Sequence, residues 1–163
     1  NEYSAAIDEM ADELVCPITQ ELPVDPVIAE DGRIYEKSAI EDWFSSREGQ
    51  DLKSWVTNEP MGTKLFPAVQ ARNTIKGMVQ TGAISGAKAD AWKKRLEDEE
   101  KVTELHRQAE VGDAGAMMYL YFAYRDADHG LKRDEKEAFE WAKRAADLDH
   151  VAGLTELADC YAL

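Results

Sequence analysis

Apolar residues come in short runs broken by turn formers in the first half of the chain and at helical spacing in the second. From Leu14 to about Gln80, Pro, Gly and Asp recur between these runs, the pattern of a small α+β module with long ordered loops. Val27 and Ile28, the turn residues Glu30, Asp31 and Gly32, then Arg33, Ile34 and Tyr35 predict a short hairpin. A helix is expected next, capped by Ser38 and carrying Ile40, Trp43 and Phe44 on one face. Ile75, Met78 and Val79 predict a second helix, and the stretch between the two, SWVTNEPMGTKLFP, predicts a loop.

Beyond about Ser85 there is no proline, and the chain reads as helix after helix rich in Ala, Glu and Lys. TGAISGA, residues 81–87, is the expected joint, with Ser85 a candidate N-cap for a charged helix running through Trp92, Leu96 and Leu105. The expected division is an acidic extension over 1–13, a module over 14–80, a linker and charged helix over 81–106, and helical repeats over 107–163. The repeat is visible directly. At an offset of 37 residues, Arg107, Ala109, Glu110, Val111, Met117, Leu120 and Tyr124 fall on Arg144, Ala146, Asp147, Leu148, Leu154, Leu157 and Tyr161. Such a period with two helices per unit is the signature of a solenoid.

Among the 163 residues, 33 acidic side chains against 19 basic give a formal charge of −14, which repels nucleic acid and anionic membrane surfaces and argues against both as partners. Cys16 and Cys160 lie far apart, without Cys or His at metal-ligand spacing, so neither a disulfide framework nor a zinc site is expected. No signal peptide or spanning segment is recognisable. A reducing intracellular setting, cytoplasmic or nuclear, is the expectation. The chain starts with Asn and ends inside a helical pattern, as a piece of a longer protein would. His106, His129 and His150 all lie in the helical half, so Cys16 has no base nearby and reads as a small buried hydrophobe.

Cys16, Pro17, Ile18, Thr19, Glu21, Asp25, Pro26, Val27, Asp31, Gly32, Tyr35, Glu36, Ile40, Trp43, Thr57, Pro60, Leu65 and Pro67 stand in an order and spacing that resembles the U-box family, over about residues 14–80. The resemblance implies a RING-like α+β fold without zinc or any cofactor; Thr19 stands where a RING would place its second ligand. Polar cross-links would replace the metal, with Glu21, Asp31, Lys37, Arg72 and Asn73 as the contributing residues. It also implies a ubiquitin-protein ligase that binds a ubiquitin-loaded conjugating enzyme and favours attack on the thioester by a substrate lysine. The implied docking residues are Ile18, as apolar anchor, and Gln20 from a first loop, with Trp55, Asn58 and Pro60 from a second. Ile18 can alternatively belong to the core, and Asn58 can be simply a turn former. Family members usually carry proline at the position of Trp55 and often an aromatic or aliphatic residue at that of Gln20; Trp55 either enlarges the docking surface or obstructs it.

GLKRDEKEAFEWAKRAADLDHVAGLTELADCY resembles a Sel-one-like repeat, related to the tetratricopeptide repeat, with Gly130 and Leu131 ending a loop and Asp134 as N-cap. The resemblance implies an all-α segment that recruits a protein partner or substrate. Tyr119, Tyr121, Phe122 and Trp141 can line a binding face, but core is the expectation for most of them. The alternative to a ligase is a non-catalytic scaffold with a degenerate U-box. A third reading, a metal-bound RING, predicts bound zinc. Elemental analysis of the purified protein should find none, and a chelator should leave its far-UV circular dichroism unchanged.

Overall fold

The computed structural model describes residues 2–148 and 150–162, apart from the side chain of Cys160, so the pairing expectation for that cysteine lies outside the described residues. The chain divides into two compact units between Lys94 and Arg95. No described helix is long and apolar enough to cross a membrane.

The first unit contains α1 (Glu2–Leu14), β1 (Pro26–Ala29), β2 (Ile34–Glu36), α2 (Lys37–Ser46), β3 (Leu65–Pro67) and α3 (Val69–Gln80). The hairpin forms as the turn residues predict. Val27 pairs with Tyr35 and Ile28 with Ile34, and Gly32, at φ 75°, supplies the left-handed backbone that closes the turn. Alternation decides the faces: Val27 and Ala29 are buried while Ile28 between them is exposed. Cys16, Val27, Ala29, Tyr35 and Ile40 form the core, and Ile18, Trp43, Phe44, Met61 and Leu65 pack around it half-buried. α4 (Ala87–Glu110) begins in this unit, where the buried Trp92 donates its indole N–H to Pro23 O at 3.2 Å.

Three local expectations need correction. The stretch expected to be loop contains β3, which pairs antiparallel with the other edge of β1, Val27 opposite Pro67 and Ala29 opposite Leu65, in the order β2-β1-β3. Three residues ending in proline carry too little pattern to announce a strand, and their pairing depends on an edge supplied about forty residues earlier. Ser38 does not cap α2. It lies within the first turn, while Glu36 occupies the N-cap without a side-chain cap bond. Ser85 does not cap α4 either, because Gly86 O accepts the first helical bond, from Asp90 N at 3.0 Å. Where an acidic extension over 1–13 is expected, residues 2–14 form α1, whose Ala11 is buried and which contacts α3.

The second unit holds the rest of α4 with α5 (Ala114–Asp126), α6 (Glu135–Asp147) and α7 (Val151–Tyr161). α4 and α6 end, and α5 and α7 begin, 37 residues apart, the same offset as in the sequence. Asp113 caps α5 by accepting from Ala116 N, and Asp134 caps α6 by accepting from Lys136 N and Glu137 N. Leu105, Met117, Leu120, Tyr121 and Trp141 are buried with Ala138, Ala142 and Ala145, small residues that let α6 approach α5 closely. The aromatics divide: Tyr121 and Trp141 are core as expected, but Tyr119 is 58 % and Phe122 38 % exposed. Their three-residue spacing puts both on the face of α5 turned away from Met117, Leu120 and Tyr121.

Ile40 is fully buried at the centre of the first core. Ile40→Ala should therefore lower stability by about 3 kcal/mol, read as a drop in the urea midpoint of the first unit.

Candidate functional site

Two six-residue loops in the first unit have the same backbone structure. In residues 16–21, Cys16 N donates to Glu21 O at 2.9 Å and Gln20 N to Cys16 O at 2.8 Å; Glu21 N donates to Thr19 Oγ1 at 3.3 Å. In residues 54–59, Ser54 N donates to Glu59 O at 2.8 Å and Asn58 N to Ser54 O at 3.0 Å; Glu59 N donates to Thr57 Oγ1 at 3.3 Å. CPITQE and SWVTNE thus build one turn twice, each with its fifth residue left-handed, Gln20 at φ 59° and Asn58 at φ 60°. Asn adopts this region readily and Gln less so. The Gln20 side chain holds its turn by donating to Pro17 O at 2.7 Å.

A polar frame ties the second loop to the hairpin. Asp31 accepts from Ser54 Oγ at 2.6 Å, from Tyr35 OH at 2.7 Å and from Arg33 N at 3.0 Å. Ser54, almost fully buried, also accepts from Val56 N and Thr57 N, both at 3.1 Å, so one hydroxyl shapes the loop and fastens it. Burial acts to raise the Asp31 carboxyl, but the hydrogen bonds from Ser54 and then Tyr35 outweigh it and hold its pKa below the ordinary value. Burial first, then the bond to Asp31, pushes the Tyr35 hydroxyl up. A second clamp gathers the segment before β1: the buried Glu36 carboxylate accepts from Val24 N at 2.8 Å and Asp25 N at 3.0 Å. Arg72 Nε donates to Val24 O at 3.0 Å from the α3 side.

Of the residues expected to cross-link the loops, Asp31 and Arg72 occupy these clamps. Glu21 closes the first turn through its backbone. Lys37 is exposed, and its backbone N–H donates to Asp25 O at 3.0 Å. Asn73 is exposed and its side chain makes no hydrogen bond among the described residues. Glu36 and Ser54 were missed. Aligning SWVTNE on CPITQE would have singled out Ser54 as the counterpart of buried Cys16. Among the described residues no cluster of His, Cys, Asp or Glu can hold a metal.

The residues expected at the docking surface lie on or beside these turns. Ile18 is half-buried against the core, so it contributes to packing while keeping surface available. Gln20, Asn58 and Pro60 are exposed, and Trp55 and Val56 are exposed by 45 % and 44 %. Trp55 meets Trp43 of α2 edge to face, centroids 4.8 Å apart at 86°.

Residues 10–80 match the family model of the U-box domain. This segment is a U-box domain. Similar proteins include U-box domain-containing protein 43 of Arabidopsis thaliana, 33 % identical over 79 residues, 47 % of this chain and 10 % of that protein. WD repeat, SAM and U-box domain-containing protein 1 of Danio rerio is 50 % identical over 55 residues, 34 % of this chain and 11 % of that protein. The Probable bifunctional E2/E3 enzyme R795 of Acanthamoeba polyphaga mimivirus is 40 % identical over 76 residues, 47 % of this chain and 6 % of that protein. The chain therefore spans about a tenth of the length of the first two and less of the third.

Cys16 of the U-box is fully buried, and His106 sits in the other unit with its ring nitrogen 3.0 Å from Tyr124 OH and its ring in T-shaped contact with Trp141.

Ser54→Ala strands two backbone donors and removes one from Asp31, so it should cost about 1–3 kcal/mol in denaturant titration. Because folding lowers the Asp31 pKa from its ordinary value of 3.8, its stabilisation is fully present above that value and is lost as pH falls through the lowered one. Asp31→Asn should accordingly flatten the loss of stability seen on acidifying from about pH 5 to about pH 2.

Proposed function

We propose that the U-box docks a ubiquitin-loaded conjugating enzyme and promotes transfer of ubiquitin to a substrate lysine, so that the chain acts as a ubiquitin-protein ligase. The observation that carries this is the duplicated turn, fastened by Asp31, Ser54 and Tyr35, which sets Ile18 and Gln20 on one loop and Trp55, Asn58 and Pro60 on or beside the other. A surface fixed in this way supports catalysis by positioning, since it holds a reactive thioester conformer without forming a covalent intermediate. Ile18 is the apolar anchor, Trp55 and Pro60 extend the apolar contact, and Gln20 and Asn58 supply amide donors. The name of the mimivirus relative, an E2/E3 enzyme, points the same way.

The second unit, in this reading, is a Sel-one-like helical repeat segment that recruits the protein to be modified. The 37-residue recurrence of helix ends and the exposed Tyr119 and Phe122 on α5 support that role.

Incubated with activating enzyme, ubiquitin, ATP and a panel of conjugating enzymes, the chain should form ubiquitin conjugates with at least one member. Ile18→Ala should weaken the productive pair roughly thirtyfold, as loss of a central anchor does. A folded parent that is silent with the whole panel would remove the ligase reading and leave a non-catalytic scaffold.

A further inference from the structure

We propose that Trp55 is the residue by which this U-box discriminates among conjugating enzymes, and that Trp43 positions it; this rests on the docking function above.

Trp43 is held on every side. Its ring packs half-buried against the core of Cys16, Val27, Ala29, Tyr35 and Ile40. Its indole N–H donates to Lys53 O at 3.0 Å, fixing the backbone two residues before Trp55. The Arg47 guanidinium lies 4.2 Å from the ring centroid, a cation–π contact within α2 and its end. Trp55 completes the set by meeting this anchored ring edge to face at 4.8 Å. The second turn therefore carries a large aromatic side chain that is held in one place and yet remains 45 % exposed, next to Val56 at 44 %.

A side chain serving only to pack would not leave so much surface open. Trp55 also makes no hydrogen bond among the described residues, so its indole N–H is available as a donor. An immobilised aromatic gains contact on binding with little further loss of rotamer freedom, the property that makes tryptophan prominent among interface anchors. The same rigidity rejects partners. A conjugating enzyme that places an apolar side chain and a neighbouring carbonyl or amide oxygen over Trp55 gains packing and a hydrogen bond, whereas one that places a bulky or charged group there meets a surface that does not give way.

The test is calorimetric affinity of the full chain for each conjugating enzyme in a panel, with parent, Ile18→Ala, Trp55→Ala, Trp55→Phe and Trp43→Phe, thermal melting serving as the folding check. Trp55→Ala should weaken the preferred enzymes about tenfold and leave others unchanged or tighter, so that the rank order changes. Trp55→Phe, which keeps a ring against Trp43, should reorder the panel in the same direction to a smaller degree, and it decides the matter if the alanine variant melts early. Trp43→Phe should lower affinity for the preferred enzymes in the parent but not in the Trp55→Ala background. If Ile18→Ala weakens binding as expected while the Trp55 variants scale every member by one common factor or change nothing, the docking reading stands and the specificity role falls. An equal effect of Trp43→Phe in both backgrounds overturns its positioning role. A parent that binds no member removes both readings together.

Discussion

The U-box depends on one shared carboxylate. Asp31 sits in the hairpin turn, and through Tyr35 and Ser54 it joins β2 to a loop twenty-three residues further along the chain. In a module whose three strands are at most four residues long, backbone pairing alone cannot hold such a loop. The carboxylate does so because each of its donors is itself committed: the Tyr35 side chain is in the core, and Ser54 receives two backbone N–H groups of the loop it anchors. Buried polar groups stabilise when all are satisfied and destabilise when one is removed, which makes this cluster a point of cooperative failure.

Around that frame the chain builds the same turn twice. Both copies place a non-glycine residue in the left-handed region, a conformation with a modest cost that persists only where surrounding bonds insist on it. The cost is offset by backbone bonds that close each loop across five residues and by a threonine hydroxyl in each that accepts from the following glutamate's N–H. The two turns then differ where they face solvent: Pro17 and Ile18 in the first correspond to Trp55 and Val56 in the second. A common scaffold with unlike side chains is a way to offer a surface that is stiff and also particular, and the tryptophan pair is where this chain is most particular.

The helical unit follows a simpler rule. Helix ends recur at the sequence offset, with small residues such as Ala109 and Ala146 at matching points, although Asp113 caps α5 through its side chain and its counterpart His150 does not so cap α7; α6 lies close to α5 through alanines. Its exposed aromatics result from helical geometry, since residues 119 and 122 cannot share the face of 117, 120 and 121.

What the sequence determined by itself was whatever local chemistry determines. Gly32 after Asp31 made the hairpin turn, the spacing of Ile40, Trp43 and Phe44 made α2, Asp134 capped α6, and the 37-residue recurrence set the rhythm of the helices. The identity of Asp31 as a cross-linking residue came from pattern and resemblance. Tertiary structure decided the rest, because it depended on partners distant in the chain. β3 is a strand only because β1 has a free edge, Ser38 and Ser85 fail as caps because the chain enters α2 and α4 through Glu36 and Gly86, and Asn73 faces solvent while Glu36 is buried. Whether Trp55 widened or blocked the surface was likewise undetermined from sequence. Its place was set by the ring of Trp43 and the Lys53 carbonyl that fixes it, contacts across α2 and the second loop that no local pattern encodes.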